Sequence, residues 1–200
     1  MKKLIPSIII ICFCTASFAQ QKTTSNLFKN YFFNVNLGLL ATENPKAGTN
    51  FGTQLGKKIN PTTKLGISID YTELNKINKA LPIAAYAEKK LSKTSNSLFI
   101  YTKLGLTFPL NKQEQANTWQ VKTIQNTRPG IFYELAFGTH LKVGAHGFQI
   151  SFGTNALKYS IKTKEQAVVV DPNNPFDENP LFNVRNYGFN NVFVKVGMAF

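Results

Sequence analysis

Cysteine and acidic side chains are scarce in this chain. Cys12 and Cys14 are the two cysteines, too few and too close to the N-terminus for a disulfide-built scaffold. Ten Asp and Glu stand against 23 Lys and Arg, and only two His and one Trp are present. Charged residues make up 16% of the chain and aromatics 12%, a balance too apolar for a disordered polymer. Long apolar runs are also missing. Beyond residue 19 the longest is Leu81–Ala87, far short of the ~20 residues a spanning helix needs. A helix-anchored membrane protein is therefore excluded, and 200 residues leave room for one domain.

The first nineteen residues have a separate character. Met1-Lys2-Lys3 is a basic start, Leu4 to Phe13 is apolar apart from Pro6 and Ser7, and Ser17 and Ala19 are small. This layout predicts a cleavable signal peptide, residues 1–19, cut after Ala19. Cys12 follows Ile11 and Cys14 follows Phe13, so neither fits a lipoprotein cleavage site. Both cysteines leave with the signal, which predicts an exported chain, Gln20–Phe200, without thiol chemistry.

That chain alternates with a period of two. Tyr31, Phe33, Val35, Leu37 and Leu39 share one face, with Phe32, Asn34, Asn36 and Gly38 on the other. Leu65, Ile67, Ile69 and Tyr71 oppose Gly66, Ser68 and Asp70. Leu98, Ile100, Leu104, Leu106 and Phe108 oppose Tyr101, Lys103, Gly105 and Thr107. Similar segments near 51–59, 81–88, 130–141, 147–153 and 192–200 bring the total to eight strands. Each is close to the 9–11 residues that cross a bilayer as a tilted strand.

Alternation alone does not choose the inward face, because a soluble ligand-binding barrel alternates too. The connections choose it. Those at 60–63, 92–96 and 142–145 are short, whereas those at 42–48, 73–79, 111–128 and 161–187 are longer, which is the outer-membrane arrangement. The polar face is rich in Gly, Ser, Asn and Gln, side chains that fill a narrow eight-stranded interior. The expected fold is all-β: an eight-stranded antiparallel transmembrane β-barrel at 20–200, with the polar face inside and both ends in the periplasm.

The segment Asn191-Val192-Phe193-Val194-Lys195-Val196-Gly197-Met198-Ala199-Phe200 resembles the C-terminal assembly signal of bacterial outer-membrane barrels, with Val196, Met198 and Phe200 on its apolar face. The whole exported chain is similar to small barrels of the OmpA/OmpX type, in the "outer membrane protein beta-barrel domain" and porin-family group. Leu81–Tyr86 and Pro129–Gly138 resemble that group's middle and late strands. The resemblance implies outer-membrane localisation, outer-membrane lipids as surroundings and the barrel assembly machinery as a partner during biogenesis. It is specific for architecture and says little about activity. The soluble peptidoglycan-binding domain of OmpA has no counterpart here, so that function is not carried over.

Charge placement adds detail. Two lysines leave with the signal, and the net charge falls from +13 to +11. Lys57, Lys58, Lys64, Lys89, Lys90, Lys93 and Lys142 map to the short-turn end, where they cap strand ends or face anionic headgroups. Nucleic acid is not an expected partner of an exported barrel without basic-aromatic clusters. Lys58, Asp70, Glu88, Lys103, Glu134 and Lys195 share the inward face. Lys103, Glu134 and Lys195 fall near mid-height and form either one linked cluster or separately partnered charges.

No enzyme is expected and no cofactor is implied. An outer-rim active site needs a nucleophile with a base, and His140 and His146 both map to the opposite mouth. Asp171, Asp177 and Glu178 sit among Pro and Asn without the spacing of a calcium loop. Two readings stay open. In one, the barrel is structural or binds an extracellular ligand through loops 111–128 and 161–187, which hold Trp119, Val168-Val169-Val170, Phe176, Leu181 and Phe182. Those apolar residues pack on one another, extend the strands or form a contact surface. In the other, it is a small porin-like channel for ions or small solutes.

Overall fold

The computed structural model describes residues 30–41, 47–74, 78–94, 96–110, 121–143, 146–167 and 181–200. The expected signal peptide, Trp119, Val168–Val170 and Asp171–Glu178 lie outside them. Nine segments are paired: β1 (Tyr31–Ala41), β2 (Gly48–Asn60), β3 (Thr63–Glu73), β4 (Lys79–Lys90), β5 (Ser97–Pro109), β6 (Val121–Arg128), β7 (Gly130–Val143), β8 (His146–Ala167) and β9 (Leu181–Ala199).

These nine make eight staves. β6 and β7 are one strand interrupted at Pro129, and both pair with β8. Proline cannot donate to a ladder, so the break falls where its missing N–H is tolerated. The register against β8 moves by one residue across it, from Arg128↔Ser160 to Phe132↔Leu157, which is a bulge. Every adjacent pair is antiparallel. The circuit runs β1-β2-β3-β4-β5-β7-β8-β9 and closes where β9 pairs back onto β1.

The dyad faces lie as the sequence predicts. Leu37, Leu55, Ile67, Leu104, Phe137 and Val196 are exposed on the outside, while Asn34, Gln54, Ser68 and Asp70 are buried inside. The outward row Leu98–Phe108 spans about 25 Å at a tilt near 40°, the height of a bilayer's hydrocarbon core. An apolar exterior around a polar interior is inside out for a water-soluble protein and is the arrangement that a hydrocarbon surround would stabilise.

Over part of their length the longest connections take one of the forms left open for them, an extension of the strands. Residues 121–128, 161–167 and 181–187 were expected in loops, yet they are strand. β8 and β9 remain paired in one unbroken register up to Glu165↔Leu181. The ladder from β9 to β1 stops at Ala41↔Val192. β9 therefore continues past the barrel wall for about 35 Å, in a three-stranded sheet with β8 and β6. Backbone groups that lose a barrel neighbour still need hydrogen-bond partners, and extending the hairpin supplies them.

Candidate functional site

The lumen has layers. Nearest the long connections it is apolar, with Leu40, Leu74, Ala80, Phe132, Leu157 and Phe193 buried together. Nearest the short turns it is aromatic, with Phe32, Tyr86, Phe99 and Tyr101 in a chain of ring contacts. Charge fills the middle and the lower edge.

Asp70 on β3, Lys103 on β5, Glu134 on β7 and Lys195 on β9 form one alternating chain across the lumen. Lys103 Nζ donates to both Asp70 oxygens, at 3.0 and 2.8 Å, and lies 3.4 Å from Glu134 Oε1. Lys195 Nζ donates to both Glu134 oxygens at 2.7 Å. Lys103 and Glu134 are direct cross-strand partners, so dyad alternation and one register bring them together. The Tyr101 hydroxyl donates to Glu134 at 2.8 Å, and Ser68 donates to Asp70 at 3.1 Å. Asn155 donates to Glu134, and Asn191 donates to Asn155. All four charged side chains are 2% exposed or less, so water does not reach them from either mouth. Charges this deep are tolerable because each meets an opposite charge and further donors.

Two glycines make the cluster fit. A Cβ on Gly52 would stand 2.0 Å from Asp70 Oδ1, and one on Gly38 would stand 2.6 Å from Lys195 Cγ. The inward glycines are the floor on which the ionic side chains lie.

Glu88 belongs to a second group nearer the short turns. The sequence reading grouped it with the lumen charges as one set, but it does not touch Lys103, Glu134 or Lys195. Its Oε1 accepts from Lys64 and from His140 Nε2, both at 2.9 Å, and its Oε2 accepts from Tyr86. Lys64 was expected on the rim. It is instead buried inside, and its parity with Gly66, Ser68 and Asp70 was the signal for that. Lys58, which the sequence places both on the inward face and at the short-turn end, stands exposed at the mouth. The interior thus holds Lys64, Lys103 and Lys195 against Asp70, Glu88 and Glu134, a balanced set.

His140 invites a catalytic reading, because Ser97 is its direct cross-strand partner and Glu88 sits beside it. The bonding points elsewhere. Gln149 donates to Nδ1 at 3.2 Å, so the ring proton is on Nε2 and goes to Glu88. Neither nitrogen is left to take a proton from Ser97.

On the wall formed by β1, β2 and β9 the polar packing is looser. Oδ1 of Asn34, Asn50 and Asn191 and both amide atoms of Asn36 have no hydrogen-bond partner among the described residues. Val196, Met198 and Phe200 lie outward on the closing strand. Phe200 exchanges backbone hydrogen bonds with Phe33, and their rings lie 6.1 Å apart.

No protein-family model and no curated protein matches this sequence. Solved structures do. Neisserial surface protein A superposes with a TM-score of 0.52 at 12% identity, over 84% of this chain and 95% of that one. The outer membrane protein OprG from Pseudomonas aeruginosa gives 0.52 at 8% identity, over 86% and 96%. At such identities the likeness concerns the backbone, and it covers nearly the whole of both relatives. The chain therefore has the fold of the small eight-stranded outer-membrane β-barrels.

Proposed function

We propose that this is an integral outer-membrane β-barrel protein of the bacterial cell envelope, with a structural role or a binding role carried by its long-connection end. One observation carries the reading: the lumen is filled by paired charges while the β6–β8–β9 sheet continues past the wall. A filled barrel is a rigid support, and binding residues concentrate where such a support ends. The exposed apolar exterior supports membrane insertion, and the short-turn end, with Phe200, would then face the periplasm. Val196, Met198 and Phe200 would present the assembly machinery with an alternating apolar edge ending in an aromatic. An enzymatic role has little support, since the one histidine with a described side chain is committed to Glu88 and Gln149.

A channel is the second reading, and the unpartnered Oδ1 atoms of Asn34, Asn36 and Asn50 favour it as a polar path beside the ionic chain. Membrane fractionation and surface proteolysis of intact cells test the first. Protease should cut within 161–187 and leave a protected barrel in the outer-membrane fraction. Recovery in the soluble periplasmic fraction would overturn the proposal.

A further inference from the structure

The two ends of the barrel differ in charge. At the short-turn end Lys57, Lys58, Lys89, Lys90, Lys93 and Lys142 lie on strand ends and turns. Among the described residues, Glu88 is the one acidic residue in that half of a strand, and it is buried against Lys64 and His140. No salt bridge reaches any of these six lysines among the described residues. Register sharpens the excess. Lys58 stands directly opposite Lys64, a like-charge pair that a sheet normally avoids. Lys64 holds the Glu88 carboxylate, so Lys58 faces that like charge with no salt bridge of its own among the described residues.

Strand parity sets what these lysines border. Lys57 and Lys89 are on the outward face, on either side of β3, two residues out of level and about 12 Å apart. Leu65 lies between them, and Leu55 and Ile67 continue the exposed apolar wall above. Lys58 and Lys90 follow at the mouth, beside a cleft that Asn30, Lys57, Lys58, Ile59, Asn60 and Pro61 line. Exposed apolar side chains persist among the charges, with Ile59, Leu91 and Val143 each more than half exposed. A surface cationic at its edge and apolar directly above matches a molecule with an anionic head and hydrocarbon tails. A free anion would use only half of it.

We propose that this rim binds anionic phospholipid, with the phosphodiester headgroup at Lys57, Lys58, Lys89 and Lys90 and the acyl chains on the wall above. The proposal rests on the reading of the barrel as membrane-inserted. Each surface lysine strengthens attraction to an anionic headgroup several-fold, and adjacent lysines reinforce one another.

The test is native mass spectrometry of the detergent-solubilised barrel with equal phosphatidylglycerol and phosphatidylcholine of the same acyl chains. The wild type should retain phosphatidylglycerol about tenfold over phosphatidylcholine. The variant Lys57→Gln/Lys58→Gln/Lys89→Gln/Lys90→Gln should lose most of that preference. Arg128→Gln/Lys158→Gln/Arg185→Gln, at the opposite end, should keep it. If the fourfold variant does not fold, Lys57→Gln/Lys89→Gln, which touches only the outer face, carries the comparison. Equal retention of the two lipids by the wild type would overturn the proposal, as would an undiminished preference in the lysine variants. Displacement of the lipid by excess inorganic phosphate, with phosphate adducts in its place, would also overturn it in favour of a simple anion site. A chain that fails to insert into phosphatidylcholine vesicles contradicts the membrane reading itself. One that inserts without lipid preference contradicts this inference alone.

Discussion

At the scale of single residues, Glu134 is the hinge of the lumen: Lys103, Lys195, Tyr101 and Asn155 all converge on it. Replacing it by Gln keeps the volume and leaves Lys195 buried without a carboxylate. Removing one partner of a buried ion pair typically costs 3–5 kcal/mol, so Glu134→Gln should lower barrel stability by about that much. The check is the urea midpoint of unfolding in detergent, read as loss of the heat-modifiable gel band. An unchanged midpoint would mean that water, not Glu134, solvates the lysines. Gly52→Ala tests the same cluster from below. Its methyl would stand 2.0 Å from Asp70 Oδ1, so the carboxylate must leave Lys103 or the strand must shift, at about 1–3 kcal/mol for overpacking. Gly147, whose added Cβ would meet nothing nearer than 3.3 Å, is the control site, and Gly147→Ala should cost much less. These partnerships were only partly legible in the sequence. Parity placed Asp70, Lys103, Glu134 and Lys195 on the inner face, since the side-chain period of a strand is two. Which lysine meets which carboxylate depends on register and on the bore, and neither is written along one strand. Lys64 stands close to a turn, and its strand parity, not that closeness, sets the face it occupies.

At the scale of elements, β8 and β9 carry the clearest departure from the sequence reading. Beyond Gly153 the sequence is rich in Asn, Lys and Thr, and its alternation is weaker than in 147–153. The chain stays paired there because two long strands that satisfy each other's backbone need no membrane to do so. Tyr159, Tyr187 and Phe189 stack where this hairpin leaves the wall. A hairpin held mainly by its own ladder should be separable from the barrel. Replacing 161–187 with a short turn should therefore leave the heat-modifiable band intact and its unfolding free energy within about 0.5 kcal/mol of wild type, the range of changes far from the core. Loss of folding would show instead that the hairpin nucleates closure. β9 makes a second case at its other end. Phe200→Ala removes the ring against Phe33 but leaves both backbone bonds. It should barely shift the unfolding midpoint while slowing insertion in cells, measured as precursor remaining after a pulse of synthesis. Equal slowing of spontaneous insertion into pure lipid vesicles would assign the effect to strand pairing and not to the assembly machinery.

At the scale of the whole molecule, the fold divides its tasks by height and by face. The outer face is apolar, the lumen is packed and balanced in charge, and one end carries a sheet beyond the wall. An eight-stranded barrel is only wide enough for side chains to fill, and here large ones fill it: Phe99, Phe132, Phe193, Lys103 and Lys195 are all buried inside. The structural reading therefore places the block to ions in the lumen. This separates the structural reading from the channel reading in a planar bilayer. The intact barrel should show no stable conductance steps, and the form with 111–128 and 161–187 replaced by short turns should be equally silent. Lys195→Ala/Glu134→Ala, which cuts the ionic chain and empties the volume beside Gly38, should be the form that begins to leak. Steady conductance from the intact protein would favour the polar wall of Asn34, Asn36 and Asn50 as a working path. Conductance appearing only after the connections are removed would place the block above the barrel, and the charge-filled lumen would then be support without closure.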